Sequence, residues 1–475
     1  MRWGWLCGIV FLVAPAFGST LYLPLNAPIT PAVERLAVVS GLATMGRPYP
    51  LARVRSEALR VAERYPELSQ RILSYLDAVY GAGLHLTHVG VELSLSNDDS
   101  GQPLPNNYGD ATSRAYTLRA AGIWNNDGAV KGLAQLRLYD QDGEAELVAD
   151  LGYLAIGAGW AQLDVGYRDH WFAPGHGDSP LISNNAESFP ALTLSNPEPF
   201  SFLGLHYEFF VGQLQSHKRI RLGPVTSPGR PYLAGTQISI MPVDWFEFGV
   251  SRTFTFGGGQ RSVSLSDFIK VFMSPTEDNL NVAGCTTADP NCEFGNQQLA
   301  LSGALKFDFA GMPAHLYGAL GTEDSARSSN LYPGNVLMTM GGYFPWLTEQ
   351  TDLRIEYSEF ERGWYTHHVY RDGYVNDGRV LGGSWGDMQG SELGRPGNAL
   401  QVQIGYDRSR SQRWDLILRR TGSHAVTGWQ YANHLRIGWR WMPGDMGAGE
   451  WNATLDLGET GTGDTYWRVG AGYGW

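Results

Sequence analysis

The sequence predicts a transmembrane antiparallel β-barrel of about eighteen strands, with a small α-helical bundle at its periplasmic end. Three observations carry this. The stretch from Tyr466 to Trp475 puts Trp467, Val469, Ala471, Tyr473 and Trp475 on one face, and Tyr466, Arg468 and glycines on the other. Successive side chains of a strand point to opposite faces, so this is an apolar-out, polar-in strand ending on an aromatic residue, the form of a barrel's closing strand. Met1-Arg2, the apolar run Leu6 to Val13 and the small residues leading to Gly18 form a secretory signal peptide, cut near Gly18-Ser19. Finally, the period of hydrophobicity changes to two from His85 onward and stays there.

Composition agrees with a barrel. The 475 residues include 60 glycines, 16 tryptophans and 23 tyrosines. Aromatic residues populate the interface girdles of a barrel, and glycines serve its turns and crowded lumen positions. A formal charge of −12 argues against electrostatic attraction to nucleic acid. The signal run is too short to span a bilayer, and no other stretch approaches the ~18 apolar residues a helix would need.

Residues 1–18 are therefore the signal peptide, residues 19–82 a helical bundle and residues 83–475 the barrel. Cys7 lies at the start of the signal's apolar run, well before the cleavage point, and is misplaced for a lipoprotein anchor. Within the bundle, Pro31 opens a helix over Ala32 to Ser40, and Leu51 to Arg64 sets Val54, Ala58, Leu59 and Val61 against Arg53, Glu57, Arg60 and Glu63. Pro66 sits at a third helix start, where its missing N–H matters least; Leu68, Ile72, Leu76 and Val79 follow at helical spacing up to Gly81. Such a bundle is short for an independent domain, so it is expected to pack on or into the barrel's periplasmic end.

The barrel strands alternate an apolar, tryptophan-rich face with a charged one. Asn398 to Tyr406, Trp429 to Trp441, Thr351 to Tyr357 and Trp451 to Leu457 all do so, and only the division of residues 190 to 215 is ambiguous. A lipid-facing exterior around a polar lumen explains both faces. Connection lengths are an independent check. The long ones near 96–112, 171–189, 215–230, 256–296, 323–335 and 362–397 are all odd-numbered. The short ones, near Asn125 to Gly128, Ala310 to Pro313 and Asp407 to Gln412, are all even-numbered. Cys285 and Cys292 lie in a Gly/Asp/Pro/Asn-rich connection and form a candidate disulfide in an oxidising compartment.

Several motifs follow in order: Asp169-His170-Trp171-Phe172-Ala173-Pro174-Gly175 with Leu181-Ile182-Ser183-Asn184-Asn185-Ala186; Phe246-Glu247-Phe248-Gly249 through Arg252 with Gly257-Gly258-Gly259; and Tyr317-Gly318-Ala319 leading to Glu323-Asp324. Behind a helical N-terminus, this order resembles the capsule assembly protein Wzi family over nearly the whole mature chain. Ala173 departs from the glycine common in the family. The resemblance implies a monomeric barrel of eighteen strands in outer-membrane lipid, with an associated periplasmic helical bundle. It implies a lectin-like role in attaching and organising capsular or related exopolysaccharide at the cell surface, with export machinery a candidate partner of the bundle.

Candidate polysaccharide-binding residues are His170, Trp171, Asn184 and Asn185, with Trp364, Tyr365, His367 and Trp385 from the loop Arg362 to Arg395. Aromatic faces stack on sugar C–H faces, and polar groups meet hydroxyls. The alternative is that these aromatics pack the loop against the barrel mouth. Catalysis, a metal and a cofactor are not expected. There is no G-x-S-x-G elbow and no H-E-x-x-H helix, adjacent carboxylates such as Asp98-Asp99 point apart, and His367-His368 lacks an evident further ligand. A competing function is a passive diffusion channel, because inward Arg119, Arg137, Lys306, Arg354, Glu356, Arg436 and Arg440 could line a pore.

Overall fold

A computed structural model describes residues 18–141, 143–266, 268–269, 290–325, 333–388, 393–443 and 449–475. Residues 1–17 of the expected signal peptide and Cys285 lie outside these residues. The chain forms a closed barrel of eighteen antiparallel strands in sequence order. Its first strand, Gly83–Ser96, pairs with its last, Thr465–Gly474, from Gly90 opposite Gly474 to Ser96 opposite Arg468. Trp475 extends the seam by exchanging both backbone hydrogen bonds with Val89, at 2.7 and 3.0 Å. Closure matters because an open edge would leave unpaired N–H and C=O groups in lipid.

The ambiguous region resolves into two strands, Pro190–Ser195 and Leu205–Gln213. The long connections all fall at one rim, with the short ones Gln141 to Glu144, Ala425 to Gly428 and Glu459 to Thr465; the even-numbered connections form the opposite rim. The exterior is apolar, with Leu84, Leu95, Leu147 and Leu192 all more than half exposed. Trp124, Trp160, Trp245, Trp414, Trp441, Trp451 and Trp475 ring the short-turn end, while Trp429, Tyr431 and Trp467 mark the other. These are the girdles that lipid headgroups select.

Helices α1 (Thr30–Val39), α2 (Leu51–Arg60) and α3 (Pro66–Val79) occupy the short-turn end. Proline stands in the first turn of α1 and α3, as expected. Helix α2 stops at Arg60 rather than Arg64, because Val61 to Arg64 turn to bring α3 back against it. Leu36, Val54, Ala58 and Ile72 are fully buried between the helices and the wall residues Ile123 and Ala155.

Residues 20–47 run inside the barrel, held by inward side chains of many strands. Gln162 bonds the Thr20 backbone through both its oxygen and its nitrogen, at 2.8 and 3.0 Å. The Lys306 ammonium donates to the carbonyls of Ser40 and Leu42 at 3.1 and 2.7 Å. Glu247 accepts from the N–H of Thr44 at 2.7 Å and of Met45 at 3.2 Å. The Arg35 guanidinium reaches Asp352 at 2.8 Å and Asp407 at 2.5 Å. These inward polar residues are thus satisfied by the chain's own N-terminal segment.

Candidate functional site at the long-loop mouth

The mouth is built by residues 168–189, 361–388 and 393–396, which fold inward and share one core. Phe172, Leu181, Ile182, Phe189, Phe210, Leu337, Phe360, Trp364, Tyr365, Tyr374 and Trp385 pack together there. The Trp385 ring stacks on Phe360 at 3.8 Å between centroids and on Tyr365 at 4.8 Å. Helix α4 (Trp385–Met388) presents this indole inward. The Tyr365 hydroxyl donates to the Pro180 carbonyl and accepts from the Gly383 N–H, both at 2.7 Å. Each large aromatic here buries roughly 150–250 Å², or about 4–6 kcal/mol of transfer free energy.

Polar side chains then fix the backbones. Asn185 donates from Nδ2 to the Val380 carbonyl at 2.9 Å and to Asp387 at 2.7 Å, while its carbonyl accepts from the Gly109 N–H at 2.9 Å. Asn184 accepts through its carbonyl from the Tyr108 N–H at 2.7 Å. Asp178 accepts from the N–H of Ser384 at 2.7 Å. His170 stacks on Phe210 at 4.0 Å and meets Glu208 at 2.7 Å through Nδ1. A hairpin, His217–Leu222 with Val225–Gly229, joins from the side: Lys218 and Arg219 donate backbone N–H groups to Asp372.

The two fillings of the barrel meet in the middle. Gly46–Arg47, from the N-terminal segment, pairs as a short antiparallel strand with Trp171–Phe172 from the mouth. The Arg47 guanidinium lies 4.3 Å over the Trp171 ring and donates to the Gly175 carbonyl. His176 Nδ1 sits 2.8 Å from Arg47 and 2.5 Å from Glu34 of α1, and Glu34 also pairs with Arg354 at 2.8 Å. Glu356 caps the junction, accepting from the N–H groups of His176 and Gly177.

Burial sets the protonation of the groups in these loops. It pushes His176 down to about 3, helped by the Arg354 and Arg47 charges and opposed by Glu34. Burial also lifts Asp169 to about 7, and Asp178 and Asp387 each to about 6. His367 falls to about 3, again chiefly through burial, with His368 and Arg261 adding to the shift.

The sequence-derived site residues therefore have different surroundings. Trp171, Trp364, Tyr365 and Trp385 are at most 2% exposed, and His170, Asn184 and Asn185 are also buried. The faces of Trp364, Tyr365 and Trp385 are occupied by one another and by Phe360, and that of Trp171 by Arg47, so in this conformation they are packing elements and not open stacking platforms. His367 is half-buried and its neighbour His368 is exposed. Cys292 is fully buried. Sequence reasoning missed Glu34, Arg47 and His176; no local pattern marks them, because their partners lie in distant segments. Among the supposed pore-lining charges, Arg137 is fully buried against Glu187, and Lys306, Arg354 and Glu356 are taken up by the interior segments. Arg119, Arg436 and Arg440 keep side-chain exposures of 20%, 19% and 28% near the closure seam.

A closed barrel with an apolar exterior, two aromatic girdles and a lumen entered from both ends defines an outer-membrane barrel protein. The model of one family, capsule assembly protein Wzi, matches residues 99–447. The chain belongs to that family and is a capsule-related outer-membrane protein. Among solved structures, Wzi of Escherichia coli, described as a carbohydrate-binding β-barrel involved in group 1 capsule assembly, superposes with a TM-score of 0.68 at 16% identity, covering 96% of this chain and 99% of that one. OccAB4 of Acinetobacter baumannii (TM-score 0.49, 8% identity, 83% of this chain and 98% of that one) and OccK10 of Pseudomonas aeruginosa (0.48, 11%, 83% and 98%) are more distant. No curated protein matches significantly.

Proposed function

We propose that this protein binds capsular or related exopolysaccharide at its long-loop mouth and helps attach and organise it at the cell surface. The observation that carries this reading is the junction of Gly46–Arg47 with Trp171–Phe172, where segments entering from both rims pair across the lumen. A diffusion channel needs a continuous wet bore, and here Arg137, Gln162, Thr253 and Asp456 point inward yet are fully buried. Work at the surface of the loops is the natural alternative to transport through the barrel. The solved barrel from E. coli, described as carbohydrate-binding, supports the ligand class.

In this reading the buried aromatics hold the loops in shape, and contact with sugar falls to exposed groups on the 361–396 connection and on the neighbouring hairpin. Arg362, His368, Arg371, Lys218 and Arg219 are exposed there and supply donors for hydroxyls or carboxylates. Individually weak contacts add up along a repeating polymer. The role is binding rather than catalysis, the barrel acts as a monomer in outer-membrane lipid, and α2 and α3 at the opposite rim are the surface offered to export machinery.

The test is retention of isolated polysaccharide by the detergent-purified protein, beside conductance of the same preparation in planar bilayers. Retention without sustained conductance is expected. Sustained conductance without retention would replace the binding reading with a passive channel.

A further inference from the structure

Glu293 ends the connection that precedes the strand Gly295–Phe309, and it faces two histidines of the 361–396 connection. Its Oε2 lies 3.1 Å from Nε2 of His368 and 3.8 Å from Nε2 of His367. Neighbouring side chains on an extended chain point apart, yet these two rings turn the same way, with centroids 4.2 Å apart. One ligand atom from each of the three residues falls within 4.8 Å of the others. Ligand atoms bound at ~2.0–2.1 Å to a tetrahedral ion stand about 3.3–3.4 Å from one another. The observed spacing brackets that value, so small side-chain rotations would close a coordination shell. A simple Glu–His hydrogen bond accounts for His368, but at 3.8 Å it does not account for the approach of His367 to the same carboxylate.

We propose that Glu293, His367 and His368 bind a divalent transition-metal ion of the zinc type, clasping the two connections together. Two imidazoles and one carboxylate suit zinc or its neighbours, whereas calcium and magnesium prefer shells made of oxygen. The side chains of Glu293, His367 and His368 are 19%, 9% and 41% exposed, so the ion enters past His368. The segment carrying Glu293 is already positioned: Arg261 donates to the carbonyls of Asn291 at 2.9 Å and of Arg221 at 2.6 Å, and also to that of Glu293. The Arg261 charge opposes a cation, and the three ligands must outweigh it. His367 Nδ1 accepts from the Val369 N–H at 3.2 Å, which leaves the proton on Nε2. Coordination through Nε2 needs the other tautomer and gives up that one long hydrogen bond, a small cost. Three protein ligands leave a further position for water or for an oxygen of a bound molecule.

The experiment uses the full-length protein in detergent, stripped by a chelator and titrated calorimetrically with Zn²⁺ or Ca²⁺, with thermal unfolding followed in parallel. One Zn²⁺ per chain should bind and raise the unfolding temperature, and Ca²⁺ should do neither. His368→Ala and Glu293→Gln should each weaken Zn²⁺ binding by more than the roughly 10–100-fold that loss of a second-shell partner costs, while His424→Ala leaves it unchanged. His368 is at the exposed edge, so its variant carries the test even if Glu293→Gln disturbs the loop. Absence of Zn²⁺ uptake by protein with a heat-resistant barrel, or uptake that survives both substitutions, would overturn the site.

Discussion

The two segments that enter the barrel are held by different physics. At the short-turn end, α1 and its flanks are tied to the wall by charge: Glu34 to Arg354, Arg35 to Asp352 and Asp407, Lys306 to backbone carbonyls. At the mouth, the loops are held mainly by an aromatic core shared with inward strand residues and by backbone hydrogen bonds to one another. The first arrangement turns costly inward charges into paired ones, whereas the second meets the wall mainly through apolar contacts such as Phe210 and Phe360, whose loss strands no charge. The mouth should therefore open while the barrel stands, whereas loosening α1 leaves charges stranded on the strands themselves.

The largest test of that contrast is the combined replacement of Trp364, Tyr365 and Trp385 by alanine. One such truncation in a packed core costs roughly 3–5 kcal/mol, so three should exceed what holds the mouth together. Connections 168–189 and 361–396 should become open to protease and surface polysaccharide should be shed. Heat-resistant migration of the barrel should persist, because the closed ladder is untouched. Unfolding of the barrel in this variant would show that mouth and wall form one cooperative unit. Next in size is Arg35→Met, expected to cost about 2–4 kcal/mol. That is below the roughly 3–5 kcal/mol of a fully stranded buried charge, since Arg413 still reaches Asp352 at 2.8 Å. Thermal unfolding of the barrel would report it, and an unchanged midpoint would mean that α1 is not held by charge.

The contrast also explains what could be read from the sequence. Strand and helix positions follow from periods of two and 3.6 and from Pro31 and Pro66, all local signals. The separation of long from short connections followed from the same register. Trp364 and Trp385 stood out as aromatics in a polar loop, but composition alone does not separate an exposed platform from a loop core. Burial depends on Phe360 and Tyr365 arriving at the same place. The Glu34–His176 contact and the Glu293–His367–His368 group join segments far apart in the chain, and nothing in either segment names the other.

A smaller effect should appear where the two fillings meet. His176 is only 8% exposed and is held neutral down to about 3, against an ordinary value near 6.5. Its folded pKa is depressed, so its neutral form contributes fully above about pH 6.5, and that contribution is lost as pH falls toward 3. Each unit of acidification within this window costs up to about 1.4 kcal/mol. The raised Asp169, Asp178 and Asp387 act oppositely, because they bind protons more readily when folded, and they offset part of the loss. The comparison that isolates His176 is with His176→Gln. Between pH 6.5 and 4.5 the wild-type protein should lose more stability than the variant, by on the order of 1–2 kcal/mol. Parallel pH profiles would remove His176 as an acid-sensitive point of the junction.

The last prediction concerns which end faces outward, and it should change stability least. The turn Thr460 to Asp464 lies at the same rim as the long loops and bonds mainly within itself: the Thr460 N–H donates to the Asp464 carbonyl at 2.8 Å, the Gly463 N–H to the Thr460 carbonyl at 2.9 Å and the Thr462 hydroxyl to the Asp464 carboxylate at 2.7 Å. Ser409 to Gln412 lies at the opposite rim, and its Ser411 carbonyl accepts from the Met442 N–H at 2.8 Å. Both are exposed turns, where insertions are best tolerated. If the mouth presents polysaccharide outside the cell, an epitope placed after Thr462 is detected on intact cells and one placed after Arg410 only after permeabilisation. Both tagged proteins should retain heat-resistant migration, since neither insertion interrupts the ladder. Labelling of the Arg410 site on intact cells would invert the barrel, put α1 to α3 at the outer face, and leave the long-loop mouth in the periplasm, away from any surface polymer.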